Sequence, residues 1–177
     1  MTLVCLPAME LNSTAKADEP LQVGTLRVQN ILFLGNSITL HGPAPKIGWT
    51  GNWGMAATAQ DKDYVHQLVG KISKATGQTP KVMIRNIADF ERRPTEFNIG
   101  EALKDELAFE ADVIILAIGE NASSPTTDEA RQQFAAALKD LLAQLKQHGE
   151  PTLFVRSQFW PYATKDKLLK AAWRDAG

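Results

Sequence analysis

Two segments of this chain place polar side chains where a parallel sheet presents them to a ligand. The first is Gly35-Asn36-Ser37-Ile38-Thr39, which follows the apolar run at residues 28–34. A serine just past a buried strand sits at the sheet edge where ligands bind. The glycine before it lets the chain turn sharply. On its own the segment suits a turn with a serine helix cap equally well. The second is Gly119-Glu120-Asn121, after the apolar run at residues 111–118. A side-chain amide there can donate to a developing oxyanion, and removing one such donor typically costs about 3–4 kcal/mol. The plainer alternative is an Asx turn ahead of Ser123-Ser124-Pro125. A third strand end, residues 86–91, would bring backbone N–H groups beside the serine, or form a simple loop.

The elements that must position these groups are legible in the hydrophobic pattern. Residues 28–34 read as a buried strand bounded by glycine. A loop rich in Gly, Pro and Trp follows over 36–57, and loops of this length are usually functional. Residues 61–76 read as a helix, with Tyr64, Val65, Leu68, Val69 and Ile72 on one face and Gly77 at its end. Residues 81–86 form a second strand, and 95–109 a helix with Leu103 and Leu107 inward. The run ADVIILAI at 111–118 is apolar throughout, which predicts a central strand covered on both faces. Residues 127–148 form an amphipathic helix burying Phe134, Leu138, Leu141, Leu142 and Leu145, stopped by Gly149 and Pro151. A strand at 152–156 and a helix at 165–176 complete the alternation. The pattern predicts an α/β fold of the flavodoxin-like three-layer α/β/α type, with a parallel sheet.

Bulk properties narrow the classes. The 177 residues suit one domain, and the net charge of −1 draws the chain neither to nucleic acid nor to an anionic membrane. No apolar run approaches a transmembrane span. Cys5 is the single cysteine, and neither a metal-ligand spacing nor a Gly-rich phosphate loop is present, so no cofactor is expected. Residues 1–28 read as an irregular leader ahead of a domain at 29–177. Ala15-Lys16-Ala17 has the small-x-small form of a signal-peptide cleavage site, so a secreted or periplasmic location is expected. Trp49 and Trp53 in the long loop, and Trp160 in Phe159-Trp160-Pro161-Tyr162, are candidates to stack on a sugar or cover an acyl group; capping the core is the alternative for the loop pair.

Taken together, GNSIT and Gly119-Glu120-Asn121 resemble the nucleophile block and the Gly-x-Asn block of the SGNH/GDSL hydrolases, in the expected order and at the expected strand ends. The resemblance covers about residues 30 to 177. The stretch GPAPKIGWTGNWGMAA at 42–57 is similar to a subgroup of bacterial secreted, often sugar-related, esterases. The resemblance implies Ser37 as nucleophile, with its own N–H and the Asn121 side chain as oxyanion donors. It implies a third donor at the backbone N–H of Glu91, where the family carries glycine. Asn36 stands where the family has Asp, a change expected to do little harm.

The family's base lies in a late Asp-x-x-His block after a fifth strand. The chain ends at Gly177 in the helix after the fourth strand. The expectation is therefore a fold without its last strand and helix, and without its catalytic histidine, poorly soluble or loosely packed alone. Of His41, His66 and His148, only His41 lies on the serine's own loop, and all three are expected to be structural. The function expected is a serine esterase of the carboxylesterase or carbohydrate-deacetylase type on a small-molecule or carbohydrate ester. The alternative is a non-catalytic carbohydrate-binding module on the same fold. A nucleotide-binding role is disfavoured because the first loop lacks phosphate-cradling groups.

Overall fold

A computed structural model describes residues 20–176. The leader residues 1–19, with Cys5 and the small-x-small triplet, lie outside the described residues. The first described elements correct the expectation of an irregular stretch to residue 28. Strands β1 (Gln22–Val23) and β2 (Leu26–Arg27) pair antiparallel as a small ribbon. Gly24 supplies the positive φ of +62° that its tight turn requires. Leu21 and Val28, bonded across its mouth, are buried beneath it. Two-residue strands carry no readable period, so only tertiary contact defines them.

The main sheet contains β3 (Asn30–Gly35), β4 (Lys81–Asn86), β5 (Val113–Ala117) and β6 (Thr152–Val155), all parallel, in the order β4-β3-β5-β6. Apolar residues alternate in destination. Ile31, Phe33 and Val113 pack with helix α1 (Tyr64–Thr76) and the ribbon. Leu32, Leu34, Ile114 and Leu116 pack with the helices of the opposite face. Those are α2 (Ala88–Arg92), α3 (Ile99–Ala102), α4 (Lys104–Leu107), α5 (Asp128–Gln147) and α6 (Ala163–Asp175). The result is the three-layer α/β/α arrangement that the strand–helix alternation predicts. Helix α5 buries all five leucine and phenylalanine positions that its period marks.

Two local differences stand out. Residues 95–109 are two four-residue helices broken at Leu103, which is fully buried between them; Gly100 weakens helix propensity in this segment. Residues 88–92, expected as loop, form α2.

Because β3 connects outward to β4 and the chain then returns to β5, the order reverses between β3 and β5. Ligands of open parallel sheets bind at such a point, beyond the carboxyl ends of the strands. Gly35 is in register with Asn86 on one side and Ala117 on the other, so the loops after β3, β4 and β5 start at one level.

Candidate active site

The loop after β3 is bent by a close packing that only glycine allows. A Cβ on Gly35 would collide with the Thr39 hydroxyl and lie 2.9 Å from Ala117 O. Thr39 is buried there and shares a 2.8 Å hydrogen bond with the Tyr64 hydroxyl of α1. Gly35→Ala is accordingly expected to destabilise the protein by about 1–3 kcal/mol, the usual cost of overpacking, read as a lower thermal midpoint. The loop is further tied by Asn86, which donates to Leu40 O at 2.8 Å, and by Met55 N–H, which donates to Ser37 O at 2.8 Å.

Ser37 is half-buried. Neither its Oγ nor its N–H has a hydrogen-bond partner among the described residues. The Asn121 amide oxygen accepts from Arg92 Nη2 at 3.5 Å, which turns its Nδ2 the other way, and Nδ2 likewise has no partner among the described residues.

The two loops are joined by the residues immediately before them. Asn36, with 0% of its surface exposed, donates from Nδ2 to Glu91 Oε1 at 2.8 Å and to Glu120 Oε2 at 2.6 Å. Glu91 Oε2 accepts from Asn121 N–H at 2.6 Å. Glu120 Oε1 accepts from Arg156 Nη2 at 2.8 Å and from Phe159 N–H at 2.6 Å. Lys165, buried beneath the β5 loop, donates to Gly119 O at 2.8 Å and to Ala122 O at 2.9 Å. The loop bearing Asn121 is thus held by carboxylate, guanidinium and ammonium groups together.

Burial pushes the Glu91 carboxyl above its ordinary value of 4.5, against the pull of the Asn121 N–H, the Asn36 amide and the Gly119 N–H. Glu120 goes the other way. Burial raises it too, but the Phe159 N–H, Arg156 and Asn36 outweigh that and hold it below 4.5. The signs follow directly. The contribution of Glu91 to stability is fully present below pH 4.5 and lost as pH rises through its raised value; that of Glu120 is present above 4.5 and lost as pH falls through its depressed value.

The sequence-marked residues fall as follows. Ser37 and Asn121 come to adjacent strand ends. Glu91 reaches the same place, but not through its backbone. Its N–H turns back to Ile87 O at 3.4 Å inside α2, so the expected third oxyanion donor is corrected to a buried side-chain acceptor. The helix that starts at Ala88 is the physical reason. Trp49 and Trp53 meet edge to face at 5.3 Å, and their indole N–H groups go to His41 O and Ala57 O. Both tryptophans brace their own loop. Trp160 is 65% exposed and packs edge to face on Phe159 at 5.0 Å.

The late Asp-x-x-His block of the resemblance has no counterpart near residue 177, but the same letters occur early, at Asp63-Tyr64-Val65-His66. Asp63 is buried, caps α1, and accepts from His66 Nδ1 at 2.8 Å and from Gly54 N–H at 3.2 Å. The other ring nitrogen of His66 faces Gln60 Nε2 at 2.9 Å. His41 Nδ1 lies 2.6 Å from Gly42 O. Among the described residues no histidine is hydrogen-bonded to Ser37. The linking residues Asn36, Glu120, Arg156 and Lys165 carry no mark of their role in the sequence; the signal available is that Asn36, Glu91 and Glu120 all follow strands that neighbour one another.

No protein-family model and no curated protein matches the chain. Solved structures do. A protein described as a GDSL-like lipase, from Parabacteroides merdae, superposes with a TM-score of 0.58 over 89% of this chain and 78% of its own, at 18% identity. An acetyl xylan esterase from the rumen bacterium Butyrivibrio proteoclasticus superposes with a TM-score of 0.51 over 84% of this chain and 51% of its own, at 14% identity. The likeness is one of fold, and this chain spans about half the length of the second protein.

Proposed function

We propose that the chain is a serine ester hydrolase of the SGNH/GDSL type, acting outside the cytoplasm on small or sugar-linked esters such as acetyl groups. The observation that carries this reading is the pairing of free groups at two adjacent strand ends. Ser37 Oγ, Ser37 N–H and Asn121 Nδ2 all lack protein partners among the described residues, while the neighbouring Asn36, Glu91 and Glu120 side chains are bonded to one another and to the loops. The two fold neighbours named above, one a lipase-like protein and one an acetyl xylan esterase, agree with it.

On this reading Ser37 Oγ attacks the ester carbonyl, and the proton it releases is the one that the departing alcohol takes up. The carbonyl oxygen becomes an oxyanion held by Ser37 N–H and Asn121 Nδ2. The alcohol leaves with a proton, and water then releases the acid from the acyl-serine. A serine hydroxyl is a weak nucleophile without an adjacent base, so the measured turnover also reads whether a base reaches Ser37.

The test is hydrolysis of p-nitrophenyl acetate and of acetylated xylan, with labelling by a serine-directed fluorophosphonate. Turnover with the label on Ser37 supports the reading; turnover with the label elsewhere sinks it. Asn121→Ala is expected to lower kcat by about 10²–10³, the usual loss for one oxyanion donor, with the same thermal midpoint. A second reading, carbohydrate binding without cleavage, draws on the exposed Phe159–Trp160 pair. Calorimetric binding of xylo-oligosaccharide with no turnover of either ester would select it.

A further inference from the structure

Beneath the site lies a polar unit that neither proposed catalytic group accounts for. Glu91 is 1% exposed, and each of its carboxylate oxygens accepts from a different loop. Oε2 takes the Asn121 N–H after β5 at 2.6 Å, and Oε1 takes the Asn36 amide after β3 at 2.8 Å. Asn36 in turn fixes the residue after the serine, because its Oδ1 accepts from Ile38 N–H at 3.0 Å. A single carboxylate therefore spans the two loops from below.

We propose that Glu91 is a positioning residue, whose ionised side chain sets the distance between Ser37 and the Asn121 amide by holding Asn36 and the Asn121 backbone at once. This rests on the esterase reading for its catalytic meaning and on geometry alone for its structural one. Burying an ionised carboxylate costs free energy unless its oxygens are well bonded. Here N–H groups face both oxygens, an arrangement that only the charged form satisfies in full. Protonation or amidation puts a hydrogen where a donor already points.

The charges around Glu91 are few. Glu120, from the β5 loop, lies across the Asn36 amide and raises the cost of the second negative charge. Arg156, at the end of β6, is spent on Glu120. On α2 itself, Arg92 reaches Asp89 at 3.2 Å and Asn121 Oδ1 at 3.5 Å. No cation is bonded to Glu91 among the described residues, which agrees with a carboxyl shifted upward.

The experiment compares the full chain with Glu91→Gln, an isosteric change that keeps one acceptor. In ¹⁵N-labelled wild type, the Asn121 amide resonance is expected to titrate as pH falls from neutral, with a midpoint above 4.5; in Glu91→Gln it is expected not to move. An Asn121 resonance that titrates identically in both proteins, or in neither, overturns the proposal whatever the turnover. Given ester turnover, Glu91→Gln is expected to lower kcat about tenfold with KM within about twofold, the loss of part of one oxyanion donor's effect and a split that global loosening would not produce. Unchanged kcat would also overturn it. Absence of turnover in wild type would instead count against the esterase reading, and the amide titration would still decide for or against Glu91.

Discussion

Ser37→Ala is expected to leave the fold standing and to remove ester turnover. The hydroxyl is half-buried and unbonded among the described residues, so deleting one oxygen gives up no internal hydrogen bond. Substitutions of that kind usually fall within about 0.5 kcal/mol, and the thermal midpoint should not move. Turnover should fall by about three orders of magnitude or more, the scale seen when a nucleophile is removed from a serine triad. Paired measurement of kcat/KM on p-nitrophenyl acetate and of the melt checks both halves. A variant as active as wild type would place the chemistry elsewhere in the molecule. A variant that melts early would show that Ser37 is a structural turn residue, the plainer alternative its position allows.

The layers of this fold are legible in the sequence because apolar runs and helical periods are long-range statements about burial. Residues 111–118 suit only a central strand, and α5 buries the face its spacing marks. What escapes is short or polar. The ribbon at Leu21–Val28 and helix α2 are too brief for any period to register. The network under the site is hidden for a different reason. Glu91 and Glu120 look like ordinary loop carboxylates in a sequence, and only the neighbouring placement of β4, β3 and β5 brings them to one amide. The Asp63–His66 pair escapes because the family motif it matches in letters belongs late in the chain, and here it caps the first long helix. The exposed Phe154 on β6 shows the limit of pattern from the other side, since an apolar strand residue need not find cover in the chain that carries it.

Asn36→Asp is expected to destabilise the protein strongly although it alters a single group. The family that GNSIT resembles has Asp at this place, so the substitution looks conservative by sequence. Here the Asn36 Nδ2 is the donor shared by Glu91 and Glu120 at 2.8 and 2.6 Å, and an ionised aspartate would offer both of them a third carboxylate instead. The position is fully buried, so water cannot screen the repulsion. An uncompensated buried charge costs about 3–5 kcal/mol, which for a chain of this length lowers the midpoint by about 10 °C. The sign with pH is fixed. The introduced carboxyl would be driven above its unfolded value of about 3.9, so the deficit should be small below that value and grow as pH rises through the shifted one. Melts of both proteins from about pH 4 to about pH 8 read this as two curves that diverge toward alkaline pH; parallel curves would refute it. Adding Glu91→Gln to Asn36→Asp returns one donor–acceptor pair with its polarity reversed. It should recover part of the loss, because the Glu120 contact is left unrepaired. In that light Asn36 and Glu91 are complementary halves of one contact, a donor amide against an acceptor carboxylate, so a change at either is relieved only by a matching change at the other.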